Sequence, residues 1–274
     1  MNPLLFSFAL AGTDMSRLAP EDVYVMTCMT EVEVLGDDWQ RIIDSWLACD
    51  VEAQRRELDA ARPLIRGQIA MAETQRDFGY LQATDPLAFA KVLLAVSAQR
   101  RDVQMPFDEV RGAWLRVLQD PESRLNHSDV LTVTVRFLPT PDATDDQVER
   151  LEDHLQRHVG DMGFKMPPSD NADSADSSIL VFMEPHVRVA QEGDPARARL
   201  HGTEVELKSQ PVRYQARESK GPPLRATERA DFRDEEESLR VAMDSAAQSF
   251  AEQLMAQVVR EVYTDYELPP ARQP

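Results

Sequence analysis

One stretch constrains the fold more than any other: residues 130–138, which read Val-Leu-Thr-Val-Thr-Val-Arg-Phe-Leu. β-Branched side chains recur along it, and Pro139 and Pro141 close it, as is typical of a β-strand. A capping box follows, with Thr144 at the cap and Gln147 three residues later, and predicts the start of an amphipathic helix. Because the preceding residues read as helical, the sequence predicts an α+β chain whose second domain is founded on this strand.

The first domain is predicted to be all-helical over residues 20–120, after a lead-in segment of residues 1–19. Apolar residues recur at helical spacing from residue 51 to residue 72, which indicates a long amphipathic helix. Pro63 lies inside this pattern and predicts a kink or break there. The polar residues 121–129 are predicted to form a linker.

The second domain, residues 130–266, is predicted to be a small β-α-β-β-α layer followed by a Pro-rich tail, residues 267–274. Pro185 predicts an edge position or a bulge in its strand. The last helix is predicted to begin near Asp231 or Asp234, after a loop over residues 219–230. Further strands are predicted at residues 179–189, 202–208 and 212–215.

The founding strand separates two kinds of side chain because successive residues point to opposite faces of a sheet. Its apolar face is predicted to be covered by two helices, and the last of these carries a matching apolar stripe. The other face is left to solvent or a protein partner, and its candidate partner-binding residues are Thr132, Thr134 and Arg136. The residues expected between helices and sheet are Leu131, Val133, Val135, Phe137, Leu239, Met243, Phe250 and Leu254.

Acidic residues outnumber basic ones by 48 to 30, so the formal charge is −18. Both halves of the chain are acidic, which predicts no binding to nucleic acid. No apolar run approaches the roughly 18–20 residues needed for a transmembrane segment. Residues 4–12 are apolar and contain an Ala-x-Ala pattern typical of signal cleavage, although no basic residue precedes them. A periplasmic or envelope location is favoured over the cytoplasm.

No motif predicts a catalytic residue, a cofactor or a metal site. His154 and His158 are one helical turn apart, but no Glu completes a metalloprotease pattern, so they are interpreted as surface histidines. His186 and His201 are weaker candidates for a pair across neighbouring strands. The acidic residues 170–176 lack the spacing of a calcium loop and are interpreted as solvated. Two cysteines, Cys28 and Cys49, are predicted to be free thiols, because a helical hairpin would separate them.

The order strand, capped helix, strand, strand and Ala-rich terminal helix resembles a domain of curli-secretion (CsgG) lipoproteins and of TolB-type amino-terminal domains. Flagellar-associated outer-membrane proteins share this order. The resemblance covers about half of the chain and is one of topology. It implies a non-catalytic envelope module that assembles with other proteins. The lipid-anchor Cys of many such proteins is absent here, and Thr13 follows the Leu-Ala-Gly sequence.

The sequence therefore favours a non-enzymatic binding or assembly protein with protein partners, a component of a bacterial envelope machine. It leaves open whether the chain forms a homo-oligomer. Two alternatives remain open. One is a cytoplasmic adaptor or chaperone for a secretion or motility apparatus. The other is a hydrolase or metal enzyme whose site is built from residues scattered along the chain.

Overall fold

A computed structural model describes residues 51–101, 103–121, 131–167, 178–190, 201–215 and 218–272. The features predicted before residue 51, including both cysteines, lie outside these ranges. So do the acidic residues 170–176 and all of the predicted linker except Pro121. The described residues show a mixed α and β structure, which confirms the predicted α+β class.

The described chain divides into two compact units. Unit 1 contains residues 51–110 together with residues 267–272, and unit 2 contains residues 111–266. The sequence-based division instead assigned residues 111–120 to the helical domain. In unit 2, Trp114 is fully buried and its Nε1 donates a hydrogen bond to the carbonyl of Met162 at 2.9 Å. Whether each unit folds independently stays a prediction.

Unit 1 is built on two helices, α1 (Val51–Thr84) and α2 (Pro86–Gln99). Asp85 lies between them and caps α2, since its side chain accepts a hydrogen bond from Ala88 N at 2.9 Å. The helix α1 continues through Pro63, so a break at this position is wrong, whereas the alternative of a kink stays a prediction. The carbonyl of Pro63 accepts a hydrogen bond from Gln104 N at 3.0 Å, which ties the chain after α2 to α1.

The tail belongs to unit 1, although it follows unit 2 in the chain. The guanidinium of Arg272 lies 5.3 Å from the ring centroid of Tyr80 on α1, a cation–π distance. Leu268 lines a cavity of about 230 Å³ together with Phe78 of α1 and Val96 of α2. The tail therefore contacts both α1 and α2 within unit 1.

Unit 2 combines one mixed sheet with helices that its sequence signals specify. The predicted capping box is confirmed, because Thr144 and Gln147 exchange both hydrogen bonds at the start of the helix that begins at Asp145. Asp234 caps the last helix by accepting from Glu237 N at 2.8 Å. The helices are α3 (Phe107–Gln119, begun in unit 1), α4 (Asp145–Asp161) and α5 (Glu235–Tyr263). The strands are β1 (Val133–Phe137), β2 (Ile179–Ala190), β3 (His201–Ser209), β4 (Arg213–Tyr214), β5 (Ser219–Lys220) and β6 (Arg225–Phe232).

β2 is the central strand of the sheet. On one side, β1 runs parallel to its first half, and α4 makes the crossover between the two. On the other side, β4 pairs with the start of β2 and β3 with its second half, both antiparallel. β6 then pairs with β3, and β5 pairs with β4.

Two predictions about single segments have clear outcomes. The predicted loop at residues 219–230 is wrong, because it contains β5 and most of β6. The edge position predicted from Pro185 is confirmed in a local sense. The pairing of β1 with β2 ends at Met183, so no strand lies beside Pro185 on the β1 side of β2. Proline has no N–H to donate, and none is needed there for strand pairing.

One face of the sheet is covered by helices, as predicted. α5 contacts β3, β6 and α4, and Met243, Phe250 and Leu254 are fully buried. Val133 and Val135 are buried on β1, whereas Leu131, Phe137 and Leu239 are half-buried. The hydroxyl of Ser238 donates to the carbonyls of His201 and Ala230, which fixes the start of α5 against β3 and β6.

Candidate partner-binding face

The second face of the sheet carries the side chains that alternate with the buried ones, and most of them are charged. The registers place them in cross-strand rows, such as Glu184 with Lys208 and Arg225, and Arg188 with Glu204 and Arg229. We call this surface the charged sheet face. It is formed by Arg136, Glu184, His186, Arg188, Glu204, Glu206, Lys208, Arg213, Arg225, Thr227, Arg229 and Asp231.

Glu206 is the buried centre of the charged sheet face, with 5% of its side chain exposed. Lys208 Nζ lies 2.9 Å from its Oε2, and Arg225 Nη2 lies 2.6 Å from its Oε1. Desolvation alone would raise the pKa of Glu206, but the ion-pair contacts with Lys208 and Arg225 outweigh it and lower the pKa. The carboxylate is therefore held ionised between two bases, an arrangement that positions Lys208 and Arg225 at the surface.

Weaker contacts order the rest of this face. Arg188 Nη1 lies 3.9 Å from Glu204 Oε1, and Arg229 donates to Asp231 at 3.1 Å. At such exposed positions ion pairs contribute little to stability, typically about 0–1 kcal/mol. Arg188 keeps 57% of its side chain exposed. The guanidinium of Arg188 is thus available for contacts outside the chain at small cost to the fold.

Two further side chains close the rim of the face. His186 Nδ1 lies 3.0 Å from Asp142 Oδ2, a carboxylate that reaches the sheet from the loop after β1. The guanidinium of Arg213 lies 5.1 Å from the ring centroid of Phe182. His186 pairs with Glu206 in the strand register, five residues from His201, so the two histidines considered as a pair do not meet.

The candidate residues of the founding strand lie at one margin of this face. Thr132 is half-buried, Thr134 is 1% exposed and Arg136 is exposed. A partner could therefore reach Arg136 but not Thr134 in this conformation. The partner-binding role of the row stays a prediction, and the structure adds to it the exposed charges of β2, β3 and β6.

A second cluster joins α4 to α5, and it includes both candidate histidines of α4. Asp244 Oδ1 lies 3.1 Å from His154 Nδ1 and 2.8 Å from His158 Nε2. Arg157 donates to the same oxygen, and its Nη2 lies 2.6 Å from His154 Nδ1. Asp244 is 86 residues from His158 along the chain, so sequence spacing alone gave no sign of this partner.

The carboxylate of this cluster is balanced by basic side chains of the same chain, as in an ion-pair network that links two helices. Burial would raise the pKa of Asp244, but the hydrogen bond from His158 and the charge of Arg157 lower it overall. Arg157 places a cationic nitrogen beside both Asp244 and His154, where a metal ion would need to be. Among the described residues no group of three or more His, Cys, Asp or Glu side chains could hold a metal ion.

Protonation of His154 changes this network. Its Nδ1 accepts from Arg157 only when unprotonated and donates to Asp244 only when protonated. Burial lowers the pKa of His154, the charge of Arg157 lowers it further, and Asp244 opposes both. The pKa of His154 is therefore lower in the folded chain than the unfolded value of about 6.5. It follows that the fold is more stable when His154 is neutral than when it is protonated.

We therefore expect unit 2 to lose stability as the pH falls below about 6.5, towards the lowered pKa of His154. The pKa of Asp244 is also lowered, but its contribution is lost only below about pH 4, outside this range. Urea unfolding at pH 7.5 and 5.0 measures the effect. His154→Gln, which stays neutral, should show a smaller loss on acidification. An equal loss in both proteins would contradict the role of His154.

Comparisons with known proteins add little to this geometry. No protein-family model matches the sequence, and no curated protein matches it. A solved structure of a candidate lipoprotein from Caulobacter crescentus CB15 is similar with a TM-score of 0.33 and 6% identity, over 49% of this chain and 92% of that chain. A likeness this distant carries no argument about function. Within the described part of the chain, no helix is both long and apolar enough to span a membrane.

Proposed function

We propose that the protein is a non-catalytic binding or assembly protein, and that it binds a protein partner through the charged sheet face. The observation that carries this proposal is the asymmetry of the sheet. One face is covered by α5, which packs against β3, β6 and α4, and the other presents ordered, exposed charges on β2, β3 and β6. Exposed side chains held in register by a rigid sheet are suited to protein recognition.

The compartment proposed for this activity is the cell envelope. It is supported by the apolar residues 4–12 with their cleavage-like pattern and by the resemblance of the strand and helix order to envelope proteins. In this proposal the partner is another component of an envelope assembly.

Site-specific photocrosslinking in the native cell tests both statements. Benzoylphenylalanine is placed at Arg188 or Thr227, two exposed positions of the charged sheet face. Matched controls carry it at Gln248 on α5 and at Arg76 on α1, which are exposed elsewhere. We expect one discrete protein adduct from both face positions, recovered in the envelope fraction.

Two results would contradict the proposal. Adducts equally abundant at Gln248 and Arg76 would show that the face has no preference for partners. The absence of adducts from both face positions, with the protein present at its normal level, would remove the face as a binding surface. An adduct recovered only from the cytoplasm would leave partner binding in place and refute the envelope location.

A further inference from the structure

We infer that the partner segment bound by the charged sheet face is an acidic, extended stretch of polypeptide. This inference rests on the proposed function and adds the chemistry of the partner. The face carries six basic residues against four acidic ones, or five with Asp142 at the rim. In the whole chain acidic residues exceed basic ones by 48 to 30, so this surface departs from the character of the protein.

The exposure of individual side chains adds to the difference in charge between this face and the chain as a whole. Glu206, the central acid, is buried and already bound by Lys208 and Arg225. Arg225 and Arg188 keep 68% and 57% of their side chains exposed. The exposed acids of the face keep less, 38% for Glu204 and 45% for Asp231. A partner approaching from solvent therefore meets the guanidinium groups of Arg225 and Arg188 first, and carboxylates on the partner complement them.

The spacing of these groups suggests how the segment lies. Lys208 and Arg225 are cross-strand neighbours, and the row of Arg188, Glu204 and Arg229 lies four residues further along the strands. At about 3.3 Å per residue this separates the two basic rows by roughly 13 Å. An extended segment running along β3 and β6 with carboxylates about four residues apart would meet both rows.

Nucleic acid fits this surface less well. Phosphates repeat along each strand without interruption, and they would meet Glu204 and Asp231 as well as the bases. Anionic lipid headgroups present the same difficulty, because both acids lie among the basic side chains. A polypeptide can place neutral residues opposite these two acids, whereas a uniform polyanion cannot.

Binding of a fluorescently labelled peptide of about 20 residues, with glutamate at every fourth position and serine or glycine between, to the full chain tests the inference by anisotropy at low salt. The double variant Arg188→Glu and Arg229→Glu removes bases of one row while leaving Glu206 and its two partners in place. We expect it to bind at least tenfold more weakly than the unaltered chain. Raising the salt concentration should weaken binding of the unaltered chain, because the contacts are between exposed charges.

The matched control is the double variant Arg76→Glu and Arg240→Glu, which changes the net charge equally at exposed positions elsewhere. Its affinity should stay within twofold of the unaltered chain. Circular dichroism confirms that both variants are folded. Equal weakening in the two variants would show a response to net charge alone and would overturn the inference.

Two further results would overturn it: no binding of the spaced-glutamate peptide, or tighter binding of a 20-nucleotide DNA or of vesicles with anionic headgroups. These failures are distinguishable from failure of the proposed function. A crosslinked adduct at Arg188 and Thr227 whose attached peptide lacks acidic residues would refute only the partner chemistry. The absence of such adducts would remove both.

Discussion

Replacing Phe250 with alanine is expected to lower the free energy of unfolding of unit 2 by about 3–5 kcal/mol, the usual cost of deleting a buried phenyl ring and leaving a cavity. Phe250 is fully buried on the face of α5 that covers the sheet. The loss is a large part of the 5–15 kcal/mol that usually separates folded and unfolded domains. Urea denaturation followed by circular dichroism and by tryptophan fluorescence measures it.

Gln248→Ala is the control for this experiment, because Gln248 is exposed on the same helix and contacts Glu252 only at the surface. We expect a change within about 0.5 kcal/mol, as for most surface substitutions. If Phe250→Ala were as mild as Gln248→Ala, the packing of α5 on the sheet would be incorrect.

The second large effect is expected at Gly67 in unit 1. A Cβ at this position would overlap the carbonyl oxygen of Gln104, a backbone atom that cannot move aside as a side chain can. The same segment is held by the hydrogen bond from Gln104 N to the carbonyl of Pro63. Gly67→Ala should therefore destabilise unit 1 by about 3 kcal/mol or more, at the upper end of overpacking effects.

Gly79 provides a matched control on the same helix, because a Cβ there meets no heavy atom within 4 Å. Alanine has the higher helix propensity, so Gly79→Ala should stabilise unit 1 by up to about 1 kcal/mol. Thermal unfolding of both variants gives the comparison. Two variants that both gain stability would show that the chain after α2 does not cross α1 at Gly67.

Local signals predicted the elements that begin or end at specific residues. The founding strand and the capping box at Thr144 each depend on residues close in sequence, and the structure contains both. The start of the last helix was predicted near Asp231 or Asp234, and in the structure Asp234 caps it. β6 was missed for a physical reason. Its buried positions, Ala226 and Ala230, are residues with low strand propensity, and it is a strand because β3 pairs with it and α5 covers it.

The candidate site depended on tertiary structure to a greater extent. Arg136 was identified because it alternates with Val135 and Phe137 on a clear strand. The basic side chains of β3 and β6 were not recognised as one surface, because Lys208 and Arg225 become neighbours only through the strand register. The network around Asp244 was missed in the same way, since its members come from α4 and α5, which are separated in sequence by strands β2 to β6.

The discontinuity of unit 1 has a consequence for the order in which the chain is made. On the ribosome, residues 111–266 are synthesised between α2 and the tail, which takes on the order of ten seconds at 5–20 residues per second. Throughout that interval Tyr80 lacks Arg272, and the cavity beside Phe78 lacks the wall that Leu268 provides. Unit 1 therefore reaches its final form only after all of unit 2 has been translated, although its helices are translated first.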